Sequence, residues 1–181
     1  PFPDFTWGMT NTFRFYNVDI SIMLQGVQGI SVLNGDGYYN ETKLINKAYV
    51  KNRFISEAHP GDGKTPTYIC YDPLTGKAAR GDGIGWELTD YLIENASYAA
   101  IKDVTIGYTF DKKMLRKAKM QSIHLYLSGQ NLLYIWSKGY RGINPESRMT
   151  SSNYSSPLIS GYQRGGFPLQ RTFSFGMELQ F

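Results

Sequence analysis

The sequence contains very few of the residues that build covalent cross-links and metal sites, with one cysteine and two histidines among 181 residues. Cys70 alone cannot form an internal disulfide. His59 and His124 lie in different predicted elements without further ligands at a matched spacing, so the sequence predicts no metal site. No apolar run approaches the ~20 residues that a membrane-spanning helix needs.

Motifs for catalysis and nucleotide binding are also missing. Gly63-Lys64-Thr65 has the ending of a phosphate-binding loop, but that loop would need a glycine at the position of Ala58. Pro66 would also obstruct the helix that follows such a loop. There is no Gly-x-Ser-x-Gly motif either. The sequence therefore predicts no catalytic residue and no cofactor, and His124 is interpreted as a polar residue on a strand.

Positive charge is concentrated in one short stretch. The formal net charge is +4, and five basic residues crowd into DKKMLRKAKM at 111–120 while the others are scattered. Such a cluster is typical of a solvated connector, or of a segment that contacts anionic lipid head groups. No RNA- or DNA-binding motif accompanies it, so nucleic acid is not expected as a partner.

Aromatic residues and glycine are the residues in excess, with 14 Tyr, 10 Phe and 19 Gly. The final stretch, RTFSFGMELQF at 171–181, alternates strictly between apolar and polar residues. A period of two is typical of a strand with one apolar and one polar face. The same alternation predicts further strands, which lie at 5–15, 18–25, 97–110 and 122–135. In the stretch 97–110, Tyr98 and Ala100 are predicted to share the apolar row, which Lys102 interrupts.

The connections between these strands alternate in length. Tyr16-Asn17 predicts a tight hairpin turn, with Asn17 as the residue that tolerates a positive φ. The second connection is a long loop at about 26–96, and a second long loop follows at 137–168. Connections of this length are usually functional or disordered.

The first long loop contains two features of its own. ETKLINKAYVKNRF at 41–54 predicts a short helix, with Leu44, Ile45 and Ala48 on one side. Downstream, Gly-Asp-Gly recurs at 61–63 and 81–83 with prolines between, which is typical of a loop.

Short turns that alternate with long loops are typical of outer-membrane barrels. The prediction is an all-β chain that forms the carboxy-terminal segment, about five antiparallel strands, of a large transmembrane β-barrel. Aromatic residues are expected to form girdles at the two membrane surfaces. The expected girdle residues are Phe13, Phe15, Tyr108, Phe110 and Phe181 at one edge, and Trp7, Tyr98 and Trp136 at the other.

Five strands cannot close a barrel, because an open edge in hydrocarbon leaves backbone groups unpaired. Further strands are therefore expected from chain beyond these residues.

Two alternatives remain open. A soluble β-sandwich that binds glycans on loop aromatics would show the same alternation, but its phenylalanines would need a second sheet to bury them. An outer-membrane hydrolase barrel would need a nucleophile and an orienting group near His124.

The sequence resembles the carboxy-terminal part of SusC/RagA-type TonB-dependent outer-membrane transporters of Bacteroidetes-type bacteria. Four stretches, at 5–29, 94–110, 123–146 and 167–181, carry the resemblance over nearly the whole chain. The most specific features are Ser-Tyr…Ile-Lys-Asp…Gly-Tyr, Ser-Gly-Gln-Asn-Leu and Gly…Asn-Pro-Glu, in that order. The chain departs from the family after Asn52-Arg53, where Phe54 replaces a Trp-containing segment.

The resemblance implies that residues 1–181 are part of a barrel of about 22 strands with an amino-terminal plug. It implies import of glycans or peptides too large for porins, energised by TonB through the absent amino-terminal region. It also implies a SusD-like surface lipoprotein at the extracellular mouth, outer-membrane lipid around the barrel, and loops 26–96 and 137–168 at the cell surface.

Aromatic residues in the long loops are the candidate substrate or lid contacts, because their rings stack on sugars or peptides. They are Trp86, Tyr91, Tyr140, Tyr154 and Tyr162. The alternative is that each ring packs within its loop or against the lipoprotein. Phe181 is expected to act as the carboxy-terminal signal for barrel assembly.

Overall fold

A computed structural model describes residues 2–42, 44–67, 69–71, 78–80, 90–115, 120–147 and 161–181. In chain order its elements are β1 (Phe5–Phe15), β2 (Val18–Gln28), β3 (Ser31–Asn34), α1 (Gly35–Thr42), α2 (Lys47–Asn52), β4 (Ile69–Tyr71), β5 (Ala78–Arg80), β6 (Ile93–Asn95), β7 (Tyr98–Thr109), α3 (Lys112–Leu115), β8 (Ser122–Trp136), β9 (Tyr162–Gln163) and β10 (Thr172–Gln180).

The chain divides into two compact units. The sheet unit comprises Phe2–Ile30, Asn95–Tyr140 and Phe167–Phe181. The loop unit comprises Ser31–Glu94 and Arg141–Gly166.

The sheet unit is built on five long strands in the order β1-β2-β7-β8-β10, and every adjacent pair is antiparallel. All five predicted strands are confirmed, with bounds that differ by a few residues at most. The strands form because their alternating side chains suit a pleated surface with two different environments.

One face of this sheet, the apolar face, leaves many large apolar side chains exposed. Its exposed members are Phe5, Met9, Phe13, Phe15, Ile106, Tyr108, Leu127, Leu133, Ile135, Phe173, Phe175, Met177 and Leu179. Burying one such side chain fully stabilises a protein by about 1.5–3 kcal/mol. A face of this extent is therefore suited to an apolar surrounding rather than to water.

The pairing register corrects one sequence prediction. Between β2 and β7, the consecutive residues Met23 and Leu24 pair with Asp103 and Ile101, so that Lys102 is an extra residue in β7. A single extra residue reverses the alternation beyond it. Tyr98 and Ala100 therefore lie on the polar face, opposite Val104, Ile106 and Tyr108, and the prediction that they share the apolar row is wrong.

The pairing of β7 with β8 also shows that Tyr98 and Trp136 do not belong to the expected girdle that contains Trp7. Trp136 pairs with Tyr98, on the face opposite Ile135 and Leu133. Both rings therefore lie on the polar face of the sheet. The expectation that Tyr98 and Trp136 belong to a lipid-facing girdle is wrong. For Tyr98 the reason is the bulge of β7, and for Trp136 it is the alternation of β8 itself.

The hairpin turn between β1 and β2 lies at Tyr16-Asn17 as predicted, but its positive φ is at the other residue. Tyr16 has φ 50°, and its side chain is exposed. Tight hairpins need left-handed backbone to match the twist of their strands. Here the strain falls on a tyrosine whose ring packs edge-on against Phe15, with centroids 4.7 Å apart.

The loop unit contains regular structure where the sequence predicts mainly loop. Strands β6, β3 and β9 form a three-stranded sheet in that order, and β3 pairs with β9 in parallel. Strands β4 and β5 form a separate antiparallel pair. The long connection is thus a folded structure whose sheet joins residues far apart in sequence.

The predicted helix at 41–54 is only partly correct. α2 covers its centre, and the Asn46 side chain caps the helix by accepting from Ala48 N (3.0 Å) and Tyr49 N (3.2 Å). Leu44 has φ 58°, and this left-handed backbone prevents a helix from running through it. The buried residue is Tyr49, whereas Leu44 and Ile45 are exposed, so the predicted apolar side is wrong.

The first Gly-Asp-Gly stretch forms a tight turn. The Asp62 carboxylate accepts from Lys64 N at 2.9 Å, Thr65 N at 2.7 Å and Thr65 Oγ1 at 2.8 Å. These hydrogen bonds, first that from Lys64, hold the pKa of Asp62 below its usual value. Gly61 and Gly63 both have positive φ, at 66° and 71°. The second such stretch, at 81–83, lies outside the described residues.

The two glycines of this turn are expected to differ in their tolerance of alanine. A Cβ on Gly61 would overlap the carbonyl groups of Asn52 and Arg53, whereas a Cβ on Gly63 would meet nothing. We expect Gly63→Ala to cost about 1 kcal/mol through its positive φ alone, and Gly61→Ala to cost about 2–3 kcal/mol.

The measurement is amide hydrogen exchange over residues 52–65 in the full-length protein. Faster exchange in Gly61→Ala than in Gly63→Ala is the expected result. Equal exchange in both variants would contradict the packing of this turn.

Candidate functional site

The structure describes three of the five candidate aromatic residues. Tyr140 is buried, and its ring lies edge-on to that of Trp136 with centroids 6.3 Å apart. Tyr162 belongs to β9, and its ring lies against the backbone of Gly35 at the start of α1. Tyr91 is half-buried in the loop unit. Trp86 and Tyr154 lie outside the described residues, and contact of any of the five with substrate or lid stays a prediction.

Tyr91 belongs to a cluster that the sequence did not predict, centred on Arg141. Arg141 Nε donates to Glu94 Oε1 at 2.6 Å, and Arg141 N donates to Glu94 Oε2 at 2.8 Å. Arg141 Nη1 donates to Glu41 Oε1 at 2.7 Å and to Tyr91 Oη at 2.9 Å. Arg141 Nη2 donates to the Tyr91 carbonyl at 3.0 Å, and the guanidinium carbon lies 4.5 Å from the ring centroid. We name these four residues the Arg141 cluster.

The electrostatics of the Arg141 cluster arise from burial of its two acids. The side chains of Glu41 and Glu94 are 1% and 4% exposed, whereas that of Arg141 is 31% exposed. Burial alone would lower the pKa of Arg141, but attraction to Glu94 and then to Glu41 raises it above its usual value. Burial raises the pKa of the Tyr91 phenol, and the charge of Arg141 opposes that shift. Arg141 therefore stays charged and compensates the buried carboxylates.

Asn34 connects this cluster to the start of α1. Asn34 Nδ2 donates to both carboxylate oxygens of Glu94, at 3.1 and 3.0 Å, while Asn34 Oδ1 accepts from Gly37 N at 2.7 Å. Asn34 N also donates to the Leu92 carbonyl at 2.9 Å. One side chain thus caps a helix and orients the carboxylate that holds Arg141.

A second set of contacts arranges the Asn-Pro-Glu turn. Gln163 Nε2 donates to the Ser147 carbonyl at 2.8 Å, and Asn144 Oδ1 accepts from Glu146 N at 2.9 Å. Pro145 is fully buried in this turn. Gly165 N donates to Asp36 Oδ1 at 2.7 Å. The motif that marks the family resemblance therefore has a structural role in the loop unit.

Sequence patterns do not reveal the Arg141 cluster. Arg141 lies 47 residues from Glu94 and 100 from Glu41, so no local spacing joins them. The one available signal is that Arg141 stands within the stretch 123–146 that resembles the transporter family.

Charged residues also meet on the polar face of the sheet unit. His124 Nε2 lies 3.1 Å from Asp19 Oδ1, and His124 Nδ1 lies 3.8 Å from Glu178 Oε2. His124 reaches Asp19 across β7 because Gly107, the residue between them, has no side chain. The expectation that His124 is a polar residue of this face is confirmed.

A further polar group surrounds the bulge of β7. Lys102 Nζ donates to Tyr134 Oη at 2.7 Å and to Asn131 Oδ1 at 3.3 Å. Tyr134 Oη donates to Asn131 Oδ1 at 2.9 Å. Asn131 has φ 54°, and its amide donates to the Gln170 carbonyl at 3.2 Å. The bulge thus carries a lysine into a hydrogen-bonded group on the polar face.

Metal-binding groups and membrane-spanning helices are both absent from the described residues. In that part of the chain, no group of three or more His, Cys, Asp or Glu is arranged to hold a metal ion. Across the same residues, every helix is too short or too polar to cross a membrane.

Comparison with known proteins gives a consistent set of relatives. The chain is 30% identical over 188 residues to the TonB-dependent receptor P3 of Formosa agariphila, and 29% identical over 183 residues to a second TonB-dependent receptor of that organism. It is 28% identical over 184 residues to the TonB-dependent receptor SusC of Bacteroides thetaiotaomicron. Each match covers 100% of this chain but only 15–17% of the relative. No family model matches the chain.

Solved structures give the same fold. The RagAB peptide transporter superposes with a TM-score of 0.69 at 18% identity, and the RagAB peptide importer in its closed-closed state with a TM-score of 0.70. Each match covers 99% of this chain and 17% of the RagAB chain to which it is similar. At this identity the similarity is one of fold.

The Arg141 cluster is expected to stabilise the loop unit. Arg141→Leu would leave two buried carboxylates without their cation, which costs about 3–5 kcal/mol. Arg141→Lys is expected to give an intermediate loss, because an ammonium cannot bond both acids in the same fork geometry. The measurement is the rate of limited proteolysis within residues 31–94 and 141–166 of the full-length protein. Lys51→Leu, which removes an exposed cation of α2, is the control, and equal rates in this control and Arg141→Leu would contradict the expectation.

Proposed function

Because the chain belongs to the SusC/RagA-type TonB-dependent receptors, as a carboxy-terminal part of their barrel, we propose that it serves the outer-membrane import of large nutrients. The observation that carries this proposal is the five-stranded sheet with one exposed apolar face and one polar face. Its similarity to several TonB-dependent receptors over the full chain supports it.

In this proposal the apolar face contacts outer-membrane lipid, and the polar face lines the lumen. Strands of 11 to 15 residues make up β1, β2, β7 and β8. At about 3.3 Å per residue and a tilt of about 45°, such strands cross the ~25 Å apolar band of an outer-membrane barrel.

The rest of the receptor supplies the missing neighbours. β1 and β10 lie at the two ends of the sheet order, so each has one paired edge among the described strands. Hydrocarbon does not tolerate an unpaired strand edge. We therefore assign both edges to pairing with the remainder of the barrel, which also holds the plug, and TonB acts through the absent amino-terminal region.

The loop unit takes the extracellular side. Loops at 26–96 and 137–168 would meet a SusD-like lipoprotein at the cell surface, with Trp86, Tyr91, Tyr140, Tyr154 and Tyr162 as proposed substrate or lid contacts. The Arg141 cluster supports this role, because it joins both loops through hydrogen bonds and so presents a defined surface. The transported molecule would be a glycan or a peptide.

The two alternatives have less support. A soluble β-sandwich would cover its apolar face with a second sheet, yet Phe175 is 72% exposed. A hydrolase would need a nucleophile beside His124, whose described side-chain polar partners are the carboxylates of Asp19 and Glu178. The relatives are receptors and transporters.

Uptake by whole cells tests the proposal. A strain that lacks the full-length receptor would be compared with the complemented strain for uptake of fluorescently labelled oligosaccharides and peptides, with and without a protonophore. We expect uptake of one class to require both the receptor and the proton gradient. Uptake that is unchanged by loss of the receptor would overturn the proposal.

The two faces of β10 are expected to differ in their tolerance of a positive charge. Phe175→Arg places a cation on the lipid face, at a cost of about 2–4 kcal/mol near the middle of the membrane. Ser174→Arg places the same side chain on the lumen face, one residue away, where water solvates it.

The measurement is the fraction of full-length receptor in outer membranes that migrates as a compact, heat-modifiable band. We expect Phe175→Arg to reduce this fraction strongly and Ser174→Arg to leave it near that of the wild type. If both variants lost the band to the same extent, the assignment of the faces would be wrong.

A further inference from the structure

Trp136 is an exposed indole on the polar face of the sheet. It is the last residue of β8 and pairs with Tyr98, and the residue is 42% exposed. Trp7, by contrast, lies on the apolar face, where its ring covers Gly26. Because Trp136 faces away from the lipid, membrane anchoring does not explain its exposure.

The ring of Trp136 contacts the ring of Tyr140. Tyr140 lies edge-on to it, with an interplanar angle of 74°. Two backbone hydrogen bonds fix the turn that brings Tyr140 there, from Ser137 N to the Ser97 carbonyl and from Tyr140 N to the Ser137 carbonyl, both 3.0 Å. An aromatic surface held in this way binds a ligand with little loss of side-chain entropy.

Hydrogen-bonding groups lie next to this ring on the same face. Tyr134, two residues earlier in β8, has its hydroxyl within 2.7 Å of the Lys102 ammonium and 2.9 Å of Asn131 Oδ1. The Tyr134 ring also lies near that of Tyr98, with centroids 5.9 Å apart. The face therefore places a flat apolar surface beside a cluster of hydroxyl, amide and ammonium groups.

This combination matches the chemistry of a sugar ring, which has a flat C–H surface edged by hydroxyl groups. One common mode of peptide binding, addition of the peptide main chain to a free strand edge, is not available here, because β7 and β8 are each paired on both sides. We propose that Trp136 is a stacking platform for a pyranose ring of an oligosaccharide on the lumen wall. This inference rests on the proposed import function and specifies the substrate class.

The test uses purified full-length receptor in detergent. Binding of maltohexaose, laminarihexaose, xylohexaose and chitohexaose, and of a casein peptide digest, would be measured by isothermal titration calorimetry. Trp136→Phe keeps an aromatic face, and Trp136→Leu keeps apolar bulk without one. Trp7→Phe is the control on the opposite face. Heat-modifiable migration of each variant reports whether it folds.

We expect at least one of the oligosaccharides to bind the wild type. Trp136→Leu should weaken that binding about tenfold, the usual scale of one aromatic contact. Trp136→Phe should lose less, and Trp7→Phe should bind like the wild type.

Three results would overturn the inference. The first is a folded Trp136→Leu variant that binds oligosaccharide as well as the wild type does. The second is a wild type that binds the casein peptides and none of the oligosaccharides. Either result would leave the proposed import function intact. The third is a wild type that binds none of these probes. Failure of the import function itself is a separate result, seen as receptor-independent uptake by whole cells.

Discussion

Backbone pairing between the five long strands is the constraint on which the rest of the structure depends. In hydrocarbon a backbone N–H or C=O without a partner costs several kcal/mol, so the ladder cannot be interrupted freely. The interruption that does occur, at Lys102 in β7 opposite Asn131 and Leu132 in β8, is therefore informative. One extra residue reverses the faces of β7, while two extra residues leave those of β8 unchanged. The bulge thereby pairs Tyr98 with Trp136 on the polar face and lets the Lys102 ammonium donate to the Tyr134 hydroxyl.

The loop unit is organised by a different interaction, the pairing of one guanidinium with two buried carboxylates. Burying charges costs free energy that their attraction repays only in good geometry. Arg141 meets that condition through its fork of donors to Glu94 and Glu41. We regard the Arg141 cluster as a device that favours one arrangement of the long loops, which suits a surface that must match a partner.

The candidate aromatic residues illustrate the limits of sequence reasoning about sites. Tyr91, Tyr140 and Tyr162 were selected because aromatic rings in polar loops stack on ligands. In the structure all three rings have intramolecular neighbours, which are Arg141, Trp136 and Gly35 respectively. Tyr98 and Trp136 were expected in a girdle, yet both lie on the polar face. The bulge of β7 is the reason for Tyr98, whereas the alternation of β8 itself places Trp136 opposite Ile135.

By itself, the sequence determined the five strands, their two faces away from the bulge, and the resemblance to the transporter family. Strand alternation is a local property, and the motifs that mark the family are contiguous in the chain. Only the tertiary structure decided which face Tyr98 occupies, how the segment between β2 and β7 folds, and that Glu41, Glu94 and Arg141 meet. These features depend on pairing and charge contacts between residues far apart in the chain, and no local pattern records such contacts.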